Sequence, residues 1–143
     1  MTFENLPDDW SRPSLADPDL LTDVVDLLML HHDRVQGTVL ALLADDELRL
    51  LQPVHIDDVP VGCDAYDQHR LVNHLVSVLK HLAPHGGLGL GIGRRGMVVQ
   101  TQWDQTWRRA LALACQEQSV TDLGCCLATP IGVVRLDDDV AAA

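Results

Sequence analysis

This chain of 143 residues is short of aromatic side chains, of positive charge and of long apolar runs, and each shortage excludes something. Aromatics are 3% of the residues, so the core has to be built from Leu, Val, Ile and Ala. Ten basic residues, nine of them arginine, face 21 acidic ones, for a net charge of −11. A diffuse negative field of that size repels nucleic acid and anionic lipid, so neither a nucleic-acid nor a membrane-surface partner is expected. No stretch approaches the ~18 uninterrupted apolar residues that a bilayer-spanning helix needs. The first residues, Met1 to Asn5, lack the positive region and apolar core of an export signal. The four cysteines, at 63, 115, 125 and 126, make no Cys-x-x-Cys pair, and adjacent cysteines rarely bridge each other. Unpaired thiols without an export signal suit a reducing cytoplasm. Also missing are a Gly-x-Ser-x-Gly elbow, a Gly-x-x-x-x-Gly-Lys phosphate loop and a Cys-His nucleophile pair.

What remains is 47% hydrophobic with a mean hydropathy of +0.07, a composition that folds, in a length that suits one domain. Residues 1–16, with Pro7, Asp8, Asp9, Trp10 and Pro13, read as an irregular arm. Asp17-Pro18 then opens a helix as N-cap and first-turn proline, and apolar spacing from Leu20 carries it to His31-His32. Thr38 to Ala44, a turn at Asp45-Asp46 and Leu48 to Val54 form a hairpin, with a loop over 57–64. A second helix runs from Tyr66 to Leu82 and is stopped by Pro84 and Gly86-Gly87. Leu88 to Ile92 is a short buried strand, and Thr101 to Gln118 a third helix. Leu123 to Ala128 and Ile131 to Leu136 close the domain as strands, and 137–143 is a frayed acidic and alanine tail. A hairpin mixed with crossover helices predicts a single α/β domain over 17–136, a mixed sheet between two helical layers.

The segment with most to say is Gly91-Ile92-Gly93-Arg94-Arg95-Gly96. Its glycines spell the dinucleotide fingerprint, in which the turn leads straight into a helix whose N-terminus takes the pyrophosphate. Here Met97-Val98-Val99 intervenes, and the acidic residue about 20 positions on, Glu117, falls at a helix end instead of a strand end. Arg94 and Arg95 beside exposed amides could still receive a phosphate or carboxylate, or else pair with neighbouring acids. A small-molecule or nucleotide site made of Gly91, Gly93, Arg94, Arg95 and Gly96, binding or enzymatic, is therefore one reading.

The other rests on spacing. After Gly91-x-Gly93, a seven-residue spacer leads to Thr101, and three residues later comes Asp104. This resembles the JAB/JAMM metal hydrolases, and among them the RadC-like bacterial domains, over residues 20 to 136. In that superfamily His-x-His ends a strand, with a serine and an aspartate at the next helix start. The two histidines and the aspartate hold zinc, and an upstream glutamate is the general base. Gly91 and Gly93 stand at the histidine positions, Thr101 at the serine and Asp104 at the aspartate. Gln52, Pro53 and His55 occupy the strand end where the glutamate would be.

The resemblance implies a cytidine deaminase-like three-layer α/β/α architecture, and the departures imply a dismantled site. A catalytic zinc needs about three protein ligands and an open position, and glycine offers none. No metal, no cofactor and no catalytic residue are expected. Thr101-x-x-Asp104 is itself a helix-capping arrangement. Surface or capping roles are expected for His31-His32, His74, His81 and His85, and core packing for Trp103 and Trp107 with Arg108-Arg109 solvated. The expected function is then non-catalytic. The chain would bind a protein or peptide, a second copy of itself included, along the groove that in active relatives receives an extended peptide beside the motif strand.

Overall fold

The structure, a computed structural model, describes residues 13–60 and 62–136; positions 1–12 of the expected arm and the 137–143 tail lie outside the described residues. The elements follow in the order α1 (Pro18–Leu28), α2 (His31–Gln36), β1 (Thr38–Ala44), β2 (Leu50–Asp57), α3 (Ala65–Leu82), β3 (Gly87–Gly93), α4 (Gln102–Gln118), β4 (Thr121–Thr129) and β5 (Gly132–Arg135). The strands form one sheet in the order β2-β1-β3-β4-β5. The β3–β4 pair is parallel and the other three pairs are antiparallel, the mixed sheet that the element order predicts.

Strand alternation sorts side chains onto two faces. Val39, Ala41 and Leu43 of β1 join Leu88, Leu90 and Ile92 of β3 under α3 and α4, in a core centred on Val72, Leu79, Trp107 and Leu111. Leu40, Leu42 and Ala44 face the other way, into a second core with Leu21 and Val25 of α1 and Met29, which caps its end. The domain is therefore α/β with a helical layer on each face. Leu15, expected in the irregular arm, is a buried member of the second core, and Ser14 bridges to Arg49, so the domain begins before residue 17.

Two boundaries differ from expectation. The first helix stops at Leu28, and His31 opens α2, so His31-His32 sit at a helix start and not at a helix end. The break is stabilised from beyond it. Arg34 of α2 donates from Nε to the Met29 carbonyl (2.8 Å) and from Nη2 to the Asp26 carbonyl (3.0 Å) and carboxylate (2.9 Å). Carbonyls that α1 leaves unpaired at its end are thus satisfied by a buried guanidinium. The second hairpin strand starts at Leu50 instead of Leu48 and runs to Asp57. The turn is longer because Asp45 Oδ1 accepts from the amides of Glu47 and Arg49, holding Leu48 at a left-handed φ of 63°.

Candidate functional site

Leu and Ile alternate with Gly along 87–93, so one face of β3 carries large side chains and the other carries none. Ridge residues of α1 fill the bare face. A Cβ on Gly89 would lie 2.9 Å from Leu21 Cδ1, one on Gly91 2.9 Å from Val25 Cγ1, and one on Gly93 2.5 Å from Met29 Cε. The match is metrical: four helical residues advance about 6 Å and two strand residues about 6.6 Å, so each ridge side chain meets one glycine. Gly91 and Gly93 are thus occupied by the packing of α1.

At the end of β3 the chain leaves the sheet, and Arg94 turns toward α4. Its guanidinium donates from Nε to Asp104 Oδ1 (2.8 Å) and from Nη2 to Asp104 Oδ2 (2.7 Å). The remaining donors go to the carbonyls of Arg95 (2.8 Å), Met97 (3.4 Å) and Val99 (3.0 Å). All of the guanidinium's N–H donors are therefore spent inside the loop. Of the two outcomes open to Arg94 in the sequence, an incoming anion or a neighbouring acid, the acid holds it; an anion would have to displace Asp104. Asp104 is fully buried and Arg94 7% exposed. The hydrogen bond to Asp104 raises the Arg94 pKa, and burial opposes that rise.

Asp104 does two things at once. Its Oδ2 also accepts from the Thr101 amide (2.9 Å), while the Thr101 hydroxyl accepts from the Asp104 amide (3.3 Å). This is the reciprocal capping box expected from the spacing. Gly91 and Gly93 look onto α1, whereas Asp104 stands on α4, in the layer across the sheet. The four motif positions therefore do not converge on a point. Gly96 has a φ of 108°, a conformation that favours glycine, and lets the loop fold back over Arg94. Arg95 is exposed and donates from Nε to the Val35 carbonyl (3.0 Å), tying the loop to α2.

Among the described residues, no three His, Cys, Asp or Glu side chains gather closely enough to hold a metal ion. His74, His81 and His85 are exposed and apart in function: the His85 amide, not its ring, is engaged, donating to Asp46. Trp107 is buried and meets half-buried Trp103 edge to face, 6.0 Å between ring centres. Arg108, expected to be solvated, is buried and pairs with Asp122 at 2.8 Å; Arg109 alone of the two stays exposed. Gln68 was not singled out in the sequence, yet it is fully buried between the helices. With its carboxamide turned to satisfy its neighbours, its oxygen accepts from both indole N–H groups and its nitrogen reaches the Thr106 hydroxyl. A polar residue at an apolar helix position, one turn before Val72, was the available signal.

The thiols are structural. Cys115, Cys125 and Cys126 are buried, and burial is the first cause of a raised pKa in each, up to about 12 for Cys115. Folding holds these protons more tightly than the unfolded chain does. Their contribution to stability is whole below the free-thiol value of about 8.5 and is lost as pH rises from there toward 12. Titration with a thiol reagent at pH 8 should therefore modify half-buried Cys63 first and the other three only on unfolding. Equal native-state rates for all four would refute this.

Two surface features remain unfilled. Between α3 and α4 lies a shallow cavity of about 150 Å³, lined by Ala65, His69, Thr106, Arg109, Ala110 and Leu113. His69 Nε2 there has no hydrogen-bond partner, and the nearest carboxylate is Glu117 at 3.9 Å. The second is β2, an edge of the sheet, which is exposed or half-buried along its whole length. The motif strand β3 has no such opening, because β1 and β4 pair with its two sides. An extended peptide cannot add beside it, which corrects the groove expected there.

Comparison of the chain with known protein families, with characterised proteins and with solved structures finds no match. No helix among the described residues is long and apolar enough to cross a membrane.

Proposed function

We propose that this chain is a non-catalytic binding domain, resembling a RadC-like JAB/JAMM domain whose zinc site has been given over to the core, and that it works by holding a protein or peptide partner. One observation carries the reading: the positions that match the family's metal ligands are taken up by packing and by an ion pair, and they lie on opposite faces of the sheet. Val25 and Met29 occupy the space beside Gly91 and Gly93, and Arg94 neutralises Asp104. A carboxylate held in a bidentate pair inside a capping box is a poor ligand and a poor base, since both lone-pair faces are engaged. The surfaces left open, β2 and the α3–α4 cavity, are suited to contact; in the cavity His69 and Glu117 stand 3.9 Å apart, beyond hydrogen-bond distance. The anion-binding alternative has less support, because Arg94 is committed to Asp104.

Two measurements test the proposal together. Purified chain incubated with zinc and dialysed is expected to retain far less than one equivalent and to cleave no isopeptide or peptide substrate. Captured from its own cells by cross-linking, it is expected to yield a partner whose recovery fails with Leu51→Lys on β2 or Arg109→Glu on α4 and survives Val78→Lys on α3. Stoichiometric zinc with hydrolysis, or a partner indifferent to both surface changes, would overturn it.

A further inference from the structure

The β2 edge has a chemistry of its own. It is eight residues long, Leu50 to Asp57, and rich in apolar side chains, with Leu51 48% exposed. Edge strands of soluble proteins are ordinarily blunted by charge, by proline, by a β-bulge, by brevity or by a covering element. This one has no lysine; it is interrupted by a β-bulge opposite Leu43 and Ala44 and by Pro53, which lacks an amide donor, and pairs regularly with β1 from Gln52 to Asp57. Both ends of the strand are acidic: Asp45, Asp46 and Glu47 in the turn before it, Asp57 and Asp58 at its close. Glu47 pairs with Arg49 at 2.8 Å. Asp45, Asp46, Asp57 and Asp58 have no cationic partner among the described residues; their hydrogen bonds are to backbone amides and to the Thr38 hydroxyl. Just before β2 the chain pairs with itself: Ser14 makes an antiparallel bridge at Arg49 and the Leu15 amide donates to the Leu48 carbonyl at 2.7 Å.

We propose that β2 takes an extended segment of a partner protein by strand addition, and that this segment is apolar with basic residues at both ends. The inference rests on the partner-binding reading and names the surface and the chemistry of what binds. Main-chain hydrogen bonds supply sequence-independent affinity, apolar side chains of the segment extend the half-buried Leu50, Val54 and Ile56, and the uncompensated carboxylates select positive ends. Opposite charges brought to an exposed rim act mainly on specificity and on rate, so binding should weaken as salt rises. A second copy of this chain is the poorer occupant. It would bring the same acidic ends and the same −11 charge.

The test uses a synthetic peptide of about ten residues, valine and threonine alternating between paired lysines, and a twin with glutamates in place of the lysines. Titrated into the full chain, the lysine-ended peptide is expected to bind at least tenfold more tightly than the twin. In Asp46→Asn/Asp58→Asn, where the hydrogen-bond acceptors are kept, most of that ratio should vanish. Hydrogen exchange should slow across 50–57 when the peptide is added. Equal binding of the two peptides, no binding, or protection that appears at α3 and α4 instead would each overturn the proposal. So would amides of β2 that are already protected in the free chain and unchanged by peptide, since the edge would then be covered from within. If a cellular partner depends on Arg109 and not on Leu51, the partner-binding reading stands and this inference fails. If it depends on neither, both fail.

Discussion

Asp104→Ala should be among the most damaging single changes in this protein, costing about 3–5 kcal/mol, because it leaves the Arg94 guanidinium buried without its counter-charge. The substitution also removes half of the capping box at Thr101, a term of about 1 kcal/mol by itself. Chemical denaturation with unchanged slope and a lower midpoint would measure it, and the thermal midpoint should fall by on the order of 10 °C. The control is a paired replacement. Arg94→Met/Asp104→Leu removes both charges together and should lose less than Asp104→Ala alone, since an apolar pair of similar volume often replaces a buried ion pair at little cost. Arg94→Met alone should resemble Asp104→Ala, because it strands a carboxylate that is fully buried. An Asp104→Ala variant within about 1 kcal/mol of the parent would mean that the pair is incidental.

Placing histidines at Gly91 and Gly93 should break the fold before it builds a metal site. In Gly91→His/Gly93→His, the new Cβ at 91 lies 2.9 Å from Val25 Cγ1, and the one at 93 lies 2.5 Å from Met29 Cε and 3.1 Å from the Asp33 and Thr38 carbonyl oxygens. Overpacking a filled core costs about 1–3 kcal/mol for small insertions, and two imidazoles exceed that range. The expected outcome is an insoluble or loosely folded chain without stoichiometric zinc; a cooperative transition together with one bound zinc would sink the reading. A gentler pair isolates the contact. Gly91→Ala should destabilise, Val25→Ala should destabilise by leaving a void, and the double variant should recover part of the sum, because the new methyl enters the space that the valine vacates.

Much of this architecture could be read from periodicity. The hairpin, the apolar face of α3 and the Thr101–Asp104 cap follow from local patterns, and local patterns act over a few residues. The break at Met29 could not be seen because apolar spacing continues across it; what ends α1 is Arg34, which lies beyond the helix and folds back onto it. The partner of Arg94 was similarly out of reach. The two residues are ten apart, one leaving a strand and one entering a helix, and only the folded loop brings them to 2.7 Å. The glycines were a different matter. Gly87, Gly89, Gly91 and Gly93 alternate with Leu88, Leu90 and Ile92, a period of two that states plainly that one face of the strand is bare. Reading three glycines as a motif hid the four that formed a surface. The edge at β2 needed the strand order, which no local pattern in this chain supplies.

The fit of α1 on that surface also bears on descent. Gly91 and Gly93 can be enlarged only if Val25 or Met29 gives way, since the new Cβ would lie 2.9 or 2.5 Å from those side chains. Neighbouring sequences one substitution away are therefore less stable than the chain itself, in a molecule whose whole margin is about 5–15 kcal/mol. A lineage that reaches this packing has few single-step routes out of it.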